Sequence, residues 1–196
     1  MSTTQPIRDK GQLKKFKTFY AGRHGGVRNS TLIAMGLNTA LRISDILSLT
    51  CRDVYGEDGV PRSHIVVREQ KTGKENRICL NKALRRALAD YRRFLVQTRA
   101  HEDGNPYLFP SVKKKGAPLS RFQAYRIISG AASGTGMEDH ISCHSLRKTF
   151  CYHAWRQGTD PLLIMLLLNH SSIRITMRYL CIEQDDKDAV YRKIQF

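Results

Sequence analysis

The sequence predicts a mainly α-helical α+β domain that carries one small antiparallel β-hairpin. Through most of the chain, apolar residues recur three and four positions apart, which is the spacing that one helix face presents to a core. Between residues 63 and 80 this pattern gives way to the alternation that is typical of strands. The length of 196 residues allows one good core, with or without an appended tail.

Asp9 marks the start of the first predicted helix, because aspartate is a favoured N-cap residue. This helix should cover about residues 10–21, and residues 1–8 should be a loose lead-in. Glycines break the pattern at 22–26, and a second helix is predicted from about residue 27 to residue 38.

A short helical period follows through residues 43–49, with Arg42 before it and Asp45 within it. Two interpretations of this pair stay open. The side chains form a surface ion pair of little energetic value, or Asp45 helps to orient an arginine whose guanidinium is needed elsewhere.

Two alternating runs, 64–68 and 76–80, predict the two strands of the hairpin. Between them lies a tight basic turn, in which Gly73 is available for a positive φ. Lys71 and Lys74 lie on this turn, where they are either simply solvated or placed to reach into a nucleic-acid groove.

Helix caps also mark the two long helices after the hairpin. Asn81 begins a helix over about residues 82–99, and Ser120 begins one that ends near residue 132. A flexible basic loop separates them and carries Lys113, Lys114 and Lys115. Further helices are predicted at about 144–157, 161–168, 172–180 and 183–194, and the apolar run 162–168 should belong to the core.

The charge balance points to a polyanionic partner. The chain has 33 lysines and arginines against 17 aspartates and glutamates, a net charge of +16 that is spread along the whole length. A folded protein of this kind is most often one that faces nucleic acid, although a merely basic soluble protein would have the same composition.

The sequence predicts a cytoplasmic protein, since it has neither a long apolar run for a membrane span nor the apolar segment of a signal peptide. Its five cysteines form no Cys-x-x-Cys pair, so free thiols are expected. Neither the cysteines nor the histidines have the spacing of a structural zinc site, and we expect no bound metal.

The stretch from His144 to Tyr179 carries the strongest chemical signal. His144 and Arg147 are three positions apart on a predicted helix and should project together. His170 and Tyr179 follow after the apolar run. Two imidazoles, a guanidinium and a phenol around a rigid core suggest a site for a phosphate and a nucleophile.

Four separate segments together resemble the catalytic domain of the tyrosine recombinases, the phage-integrase family. They are Thr39-Ala40-Leu41-Arg42-Ile43-Ser44-Asp45-Ile46-Leu47-Ser48-Leu49, Gln70-Lys71-Thr72-Gly73-Lys74-Glu75-Asn76-Arg77, His144-Ser145-Leu146-Arg147-Lys148-Thr149-Phe150, and Leu168-Asn169-His170-Ser171-Ser172-Ile173 with Thr176 and Tyr179. The segments stand in the family's order, and the resemblance covers about residues 9–182. It departs from the family pattern at Asn169, where glycine is usual, and at Cys181, where histidine is frequent.

The resemblance implies a DNA strand transferase whose nucleophile is Tyr179. This residue would attack a phosphate of duplex DNA, form a 3′-phosphotyrosyl bond and release a 5′-hydroxyl. The resemblance places Arg42, Arg147 and His170 on the phosphate, His144 as the general base and Lys71 as the acid for the leaving oxygen. Asp45 would support Arg42. No cofactor or metal is implied.

For the DNA partner, the expected contacts come from exposed basic residues: Lys74, Lys113, Lys114, Lys115 and Arg174. Two alternatives to a recombinase remain at this level. A type IB topoisomerase uses the same chemistry without sequence choice, and a non-catalytic DNA-binding protein could share the fold.

The expected organisation is a catalytic domain over residues 1–182 and a tail helix over 183–196. Typical members also have an N-terminal DNA-clamping domain, for which this length leaves no room, so the chain would be an excised catalytic domain or a short member like the fimbrial-switch invertases. We expect a homo-oligomer, a tetramer, on DNA and a monomer without it. The tail would dock on a neighbouring subunit or fold back over the site.

Overall fold

A computed structural model of the chain describes residues 4–23, 25–101 and 104–194. Its helices are α1 (Lys10–Thr18), α2 (Gly26–Thr39), α3 (Ile43–Ser48), α4 (Cys51–Val54), α5 (Lys82–Gln97), α6 (Arg121–Gly134), α7 (Cys143–Arg156), α8 (Pro161–Leu167), α9 (Ile173–Leu180) and α10 (Gln184–Lys193), and its strands are β1 (His64–Arg68) and β2 (Glu75–Cys79). The predicted α+β class, mainly helical with one antiparallel hairpin, is confirmed.

The predicted helix starts are confirmed at three caps. The side chains of Asp9, Asn81 and Ser120 accept the backbone N–H groups of Gln12, Leu84 and Gln123, at 2.6, 2.9 and 3.1 Å. Each bond satisfies a donor that the first turn of a helix leaves free. These starts are local events, which is why the sequence alone locates them.

The hairpin pairs β1 with β2 so that His64 faces Cys79 and Arg68 faces Glu75. β2 therefore begins one residue earlier than predicted. The connection over residues 69–74 is closed by the N–H of Gly73 bonding to the Glu69 carbonyl at 2.8 Å. Gly73 has a φ of +66°, as predicted for this turn.

α2 lies at the centre of the fold, between α5 and α7. Leu32 and Met35 on one side are buried in a cluster that includes the α5 residues Leu84, Leu88 and Tyr91. The other side approaches α7 so closely that a Cβ on Gly36 would lie 2.4 Å from the Leu146 side chain. This packing holds the segment after α2 beside the first turns of α7.

The prediction of a loose lead-in is wrong for residues 4–8, and residues 1–3 lie outside the described part. Ile7 is 2% exposed, and its N–H donates to Thr149 on α7 at 2.9 Å. The ammonium of Lys148 donates to the Thr4 carbonyl at 2.7 Å. The segment is thus bound along α7, through contacts 142 and 144 positions apart that no local pattern shows.

The prediction that the apolar run 162–168 is core is also wrong for most of its side chains. Ile164 and Leu168 are buried, but the remaining leucines are between 42% and 64% exposed: Leu162, Leu163, Leu166 and Leu167. A helix as short as α8 packs through one face, and residues 164 and 168 form that face because they are four positions apart. The opposite face is an exposed leucine surface, called here the α8 face.

α10 is attached to the rest of the chain by two ion pairs and buries none of its residues. Glu183, just before it, pairs with Arg8 at 2.6 Å, and Asp186 pairs with Arg156 at the end of α7 at 2.5 Å. Its apolar stripe, Val190, Tyr191 and Ile194, is exposed. The described part of the tail is thus attached near the end of α7, whereas His144 lies at the start of that helix.

All five cysteines carry free thiols. In the part of the chain that the structure describes, no helix is both long and apolar enough to cross a membrane.

Candidate active site

Three of the predicted residues converge around the ring of Tyr179 on α9. The rings of His144 and His170 lie 5.0 and 4.9 Å from the Tyr179 ring, centroid to centroid. The guanidinium carbon of Arg147 lies 5.9 Å from the same centroid. Residues as far as 35 positions apart thus meet in one place, because α7 and α9 pack against each other.

Arg147 is held by the backbone rather than by an acid. It is 1% exposed, and its Nη1 and Nη2 donate to the carbonyls of Ala40 and Leu168 at 2.5 and 2.7 Å. Nη2 also lies 3.5 Å from His170 Nε2. Two carbonyl groups fix the guanidinium without neutralising it, so the charge remains available for a phosphate.

Arg42 forms an ion pair with Glu69, a residue that the sequence analysis did not single out. Glu69 is completely buried at the end of β1, while the Arg42 side chain is 18% exposed. Burial would raise the pKa of the Glu69 carboxyl, but the hydrogen bond and the charge of Arg42 outweigh it and lower this pKa below its ordinary value. Glu69 is therefore an anion that holds Arg42 in place.

Neither interpretation of the Arg42–Asp45 spacing describes the structure. Asp45 is fully buried, so it forms no surface ion pair, and the carboxylate that holds Arg42 is that of Glu69. Arg42 is the N-cap of α3, with an extended ψ of 149°, so a helical three-residue spacing does not bring the two side chains together. Asp45 Oδ1 instead accepts the backbone N–H of Gln70 at 3.0 Å.

Lys71 is exposed in the hairpin connection, one residue after Gln70. It lines a cavity of about 690 Å³ together with Arg42, His144 and Arg147. His144 and Arg147 line the same cavity, as expected from their three-residue spacing on one helix. Lys71 lies beyond the end of β1, and Asp45 anchors the residue before it.

Another part of the cavity lining comes from the start of α6 and was missed by the sequence analysis. It consists of Arg121, Phe122 and Tyr125, and the two rings are 68% and 40% exposed. Exposed aromatic residues beside an arginine just after the Ser120 cap were the available signal. They give the cavity both charge and flat apolar surface.

The other predicted DNA-binding residues are exposed and lie outside the cavity wall: Lys74, Lys113, Lys114, Lys115 and Arg174. The three consecutive lysines occupy the loop between Pro110 and Pro118, which form a β-bridge with each other. This loop leads directly to Ser120 and α6. These positions suit contacts with an extended polyanion around a central site.

The electrostatics of the site favour neutral imidazoles and a protonated phenol. Burial, followed by the charges of Lys148 and Arg147, lowers the pKa of His144 to about 4. Burial and the same Arg147 lower the pKa of His170 to about 4. Burial raises the pKa of Tyr179, although Arg147 and Arg42 counteract it. A neutral His144 can accept a proton, and the protonated phenol of Tyr179 lies beside it.

His170 is oriented by a second hydrogen bond. Its Nδ1 lies 3.0 Å from Thr176 Oγ1 on α9, one turn before Tyr179. Because Arg147 donates towards Nε2, the neutral ring carries its proton on Nδ1 and donates to Thr176. A phosphate placed against Arg147 would face the Nε2 side of this ring.

The sequence model of the phage integrase family matches residues 9–185. The chain belongs to the phage integrase family. Among the curated relatives, the probable integrase/recombinase YoeC of Bacillus subtilis is 38% identical over 192 residues, which cover 98% of this chain and 97% of YoeC. The fimbriae regulatory protein FimE of Escherichia coli K12 is 32% identical and is matched over 74% of its length. The family resemblance predicted from the four segments is thus confirmed.

The fold of this phage integrase family member matches solved tyrosine recombinases. The crystal structure of XerA recombinase superposes with a TM-score of 0.80 at 21% identity, over 98% of this chain and 67% of that one. The predicted catalytic-domain fold is thereby confirmed. The chain spans 52% of the length of the XerC recombinase of Pelobacter propionicus.

Within this family member, the two departures from the family pattern have a common conformation. Asn169 and Cys181 have φ values of +52° and +50°, in the left-handed region. Glycine adopts this region freely, and asparagine is the non-glycine residue that tolerates it best. Asn169 therefore preserves the backbone that glycine would give before His170, and it adds a side chain.

Proposed function

We propose that the chain is a site-specific DNA recombinase that cuts and rejoins duplex DNA through Tyr179. The observation that carries the proposal is the position of the Tyr179 ring among His144, His170 and Arg147. A phenol has an ordinary pKa near 10 and needs help to act as a nucleophile at neutral pH. Its neighbours here are a proton acceptor and cations, which are the groups that supply this help.

In the first half of the reaction, the Tyr179 oxygen attacks the scissile phosphorus and its proton passes to His144. The bond from phosphorus to the 5′ oxygen breaks, and Lys71 donates a proton to that oxygen. The products are a 3′-phosphotyrosyl bond and a 5′-hydroxyl. Rejoining is the reverse attack by a 5′-hydroxyl, so the covalent bond conserves the energy and neither metal nor nucleotide is needed.

Arg42 and Arg147 stabilise the transition state by facing the non-bridging oxygens as negative charge builds on them. The phosphate also favours the protonated form of His170, because an anion next to an imidazole raises its pKa. His170 then donates to the phosphate through Nε2. Exposed lysines around the cavity and the net charge of +16 would hold the flanking duplex.

On DNA we propose a homo-oligomer, a tetramer, that brings two duplexes together in the cytoplasm. The exposed α8 face and the exposed stripe of α10 support this part of the proposal, since apolar surfaces of this kind are typical of interfaces. The catalytic unit would comprise residues 1–182, and the tail over 183–196 would dock on a neighbour.

A supercoiled plasmid tests the proposal. The purified chain is incubated with plasmids that contain or lack short inverted repeats from the neighbourhood of its gene, and the reaction is stopped with denaturant. A recombinase leaves protein covalently attached at the repeats, and Tyr179→Phe leaves none. Relaxation of both plasmids would indicate a topoisomerase, and binding without covalent product a non-catalytic protein; either result would refute the proposal.

A further inference from the structure

The buried Glu69 carboxylate receives four hydrogen bonds. Its Oε2 accepts from Arg42 and from the hydroxyl of Thr72, the latter at 3.0 Å. Its Oε1 accepts from the side-chain amides of Asn169 and Asn76 at 3.3 and 3.5 Å. Two donors on each oxygen satisfy the acceptor capacity of an ionised carboxylate, which a fully buried anion requires.

The two amides also join separate parts of the chain. Asn169 donates to the Glu75 carbonyl on β2 at 3.3 Å, and Asn76 donates in return to the Leu167 carbonyl at the end of α8 at 3.1 Å. The hairpin is thus bound to the turn between α8 and α9 from both sides. Asn169 is the residue immediately before His170, so this link lies at the active site.

We propose that Asn169 is a positioning residue that fixes the Arg42 guanidinium, through Glu69, relative to His170 and Tyr179. Arg42 comes from the connection after α2, whereas His170 and Tyr179 come from the end of the chain. The network of Asn169, Glu69 and Arg42 joins these two parts of the chain. The inference rests on the proposed function, because this geometry matters only when Arg42 faces a phosphate.

The amide is the part of Asn169 that glycine at the same position cannot supply. Glycine adopts a φ of +52° without strain, so Asn169→Gly keeps the backbone and removes the amide alone. Without it, Oε1 keeps only the longer bond from Asn76, and the carboxylate gains freedom to rotate away from Arg42. The loss of one hydrogen bond to a charged group corresponds to about a tenfold decrease in cleavage rate.

A neutral substrate distinguishes a loss of Arg42 positioning from a general loss of order in the active site. In a methylphosphonate, a methyl group replaces one non-bridging oxygen and removes the negative charge, so the arginine that faces this position has nothing to neutralise. If Arg42→Ala cleaves one methylphosphonate stereoisomer as fast as wild type does, the methyl group of that stereoisomer marks the oxygen position that Arg42 faces. Asn169→Gly should be about tenfold slower than wild type on the ordinary phosphate and equal to it on that stereoisomer.

A double-mutant cycle with Glu69→Gln provides the matched control. Once the ion pair between Glu69 and Arg42 is gone, Asn169→Gly should add no further loss, because Asn169 acts on Arg42 through that ion pair. If Glu69→Gln does not fold, the methylphosphonate comparison is sufficient by itself. Wild-type cleavage of the phosphate by Asn169→Gly would overturn the inference, and so would an equal loss on both substrates or the absence of a stereoisomer that relieves Arg42→Ala.

Failure of the proposed function gives a different result. In that case the wild-type chain itself forms no covalent complex with DNA, and the positioning inference falls with it. If the wild-type chain cleaves and Tyr179→Phe does not, the function stands, and only the rate of Asn169→Gly on the two substrates decides the role of Asn169.

Discussion

Asp45 Oδ1 accepts the backbone N–H of Gln70 at 3.0 Å, so a fully buried carboxylate on α3 fixes the residue that precedes Lys71. Asp45→Ala should therefore slow cleavage roughly tenfold by releasing Lys71, a loss of the size expected for one hydrogen bond to a charged group. Asp45→Asn keeps an acceptor oxygen and should lose much less. Single-turnover cleavage assays measure both, and equal losses in the two variants would show that the charge, not the anchor, matters.

Lys71 and Lys74 lie on the same hairpin connection but should have different functions. If Lys71 protonates the leaving 5′ oxygen, a substrate with sulfur at that bridging position should restore cleavage by Lys71→Ala, because a thiolate leaves without a proton. Lys74→Ala is the matched control: it should weaken DNA binding modestly and cleave both substrates. A Lys71→Ala defect of equal size on oxygen and sulfur would remove Lys71 as the acid.

The two active-site histidines should make the free protein less stable in mild acid. Burial holds the pKa of both His144 and His170 at about 4, below the ordinary value of 6.5. Between these pH values the unfolded chain binds more protons than the folded chain, so the free energy of unfolding should fall as the pH falls from 6.5 to 4. Urea unfolding of wild type and of a His144→Gln, His170→Gln variant measures the effect. The variant should show a smaller decrease, and an unchanged decrease would contradict the assignment.

The α8 face should be needed for assembly on DNA but not for folding. Replacing Leu163 and Leu167 by glutamine changes two exposed side chains, so the free energy of unfolding should change by less than about 1 kcal/mol. Recombination and complex formation in gel-shift assays should decrease sharply. Val96→Gln on α5, which is also exposed, is the control and should assemble normally. Normal assembly by the double variant would exclude this face as an interface.

Deleting the chain after Cys181 should leave the fold intact. α10 buries no residue, and its two surface ion pairs each contribute about 1 kcal/mol or less. The truncated chain should give a thermal unfolding transition close to that of the full chain, form covalent complexes and fail to assemble further. If it recombines at the normal rate, the tail has no role in joining subunits.

The features that the sequence could predict are those that neighbouring residues determine. The caps at Asp9, Asn81 and Ser120 act within three positions, and Gly73 supplies a positive φ at its own position. His144 and Arg147 share one helix, so their spacing was sufficient to predict that the two side chains project together. The resemblance added Arg42 and Lys71, which no periodicity could have joined to them.

The remaining features depend on contacts across the chain. Glu69 pairs with Arg42 over 27 positions, and nothing next to it in the sequence marks it as a partner. Asp45 was connected to the wrong partner because Arg42 lies just outside the helix, where helical spacing no longer applies. The leucines of α8 looked like core because composition shows that a helix is apolar but does not show how many of its faces have neighbours.

The close approach of Gly36 to Leu146 has a consequence for attempts to re-engineer this molecule. α2 leads to Arg42, and Leu146 precedes Arg147, so the two guanidiniums are borne on segments that meet at this contact. A Cβ at position 36 would lie 2.4 Å from Leu146 and push the segments apart. Libraries that aim at new target sequences should therefore vary the residues around the cavity and leave this contact unchanged. A methyl group at position 36 would change the distance between the two arginines.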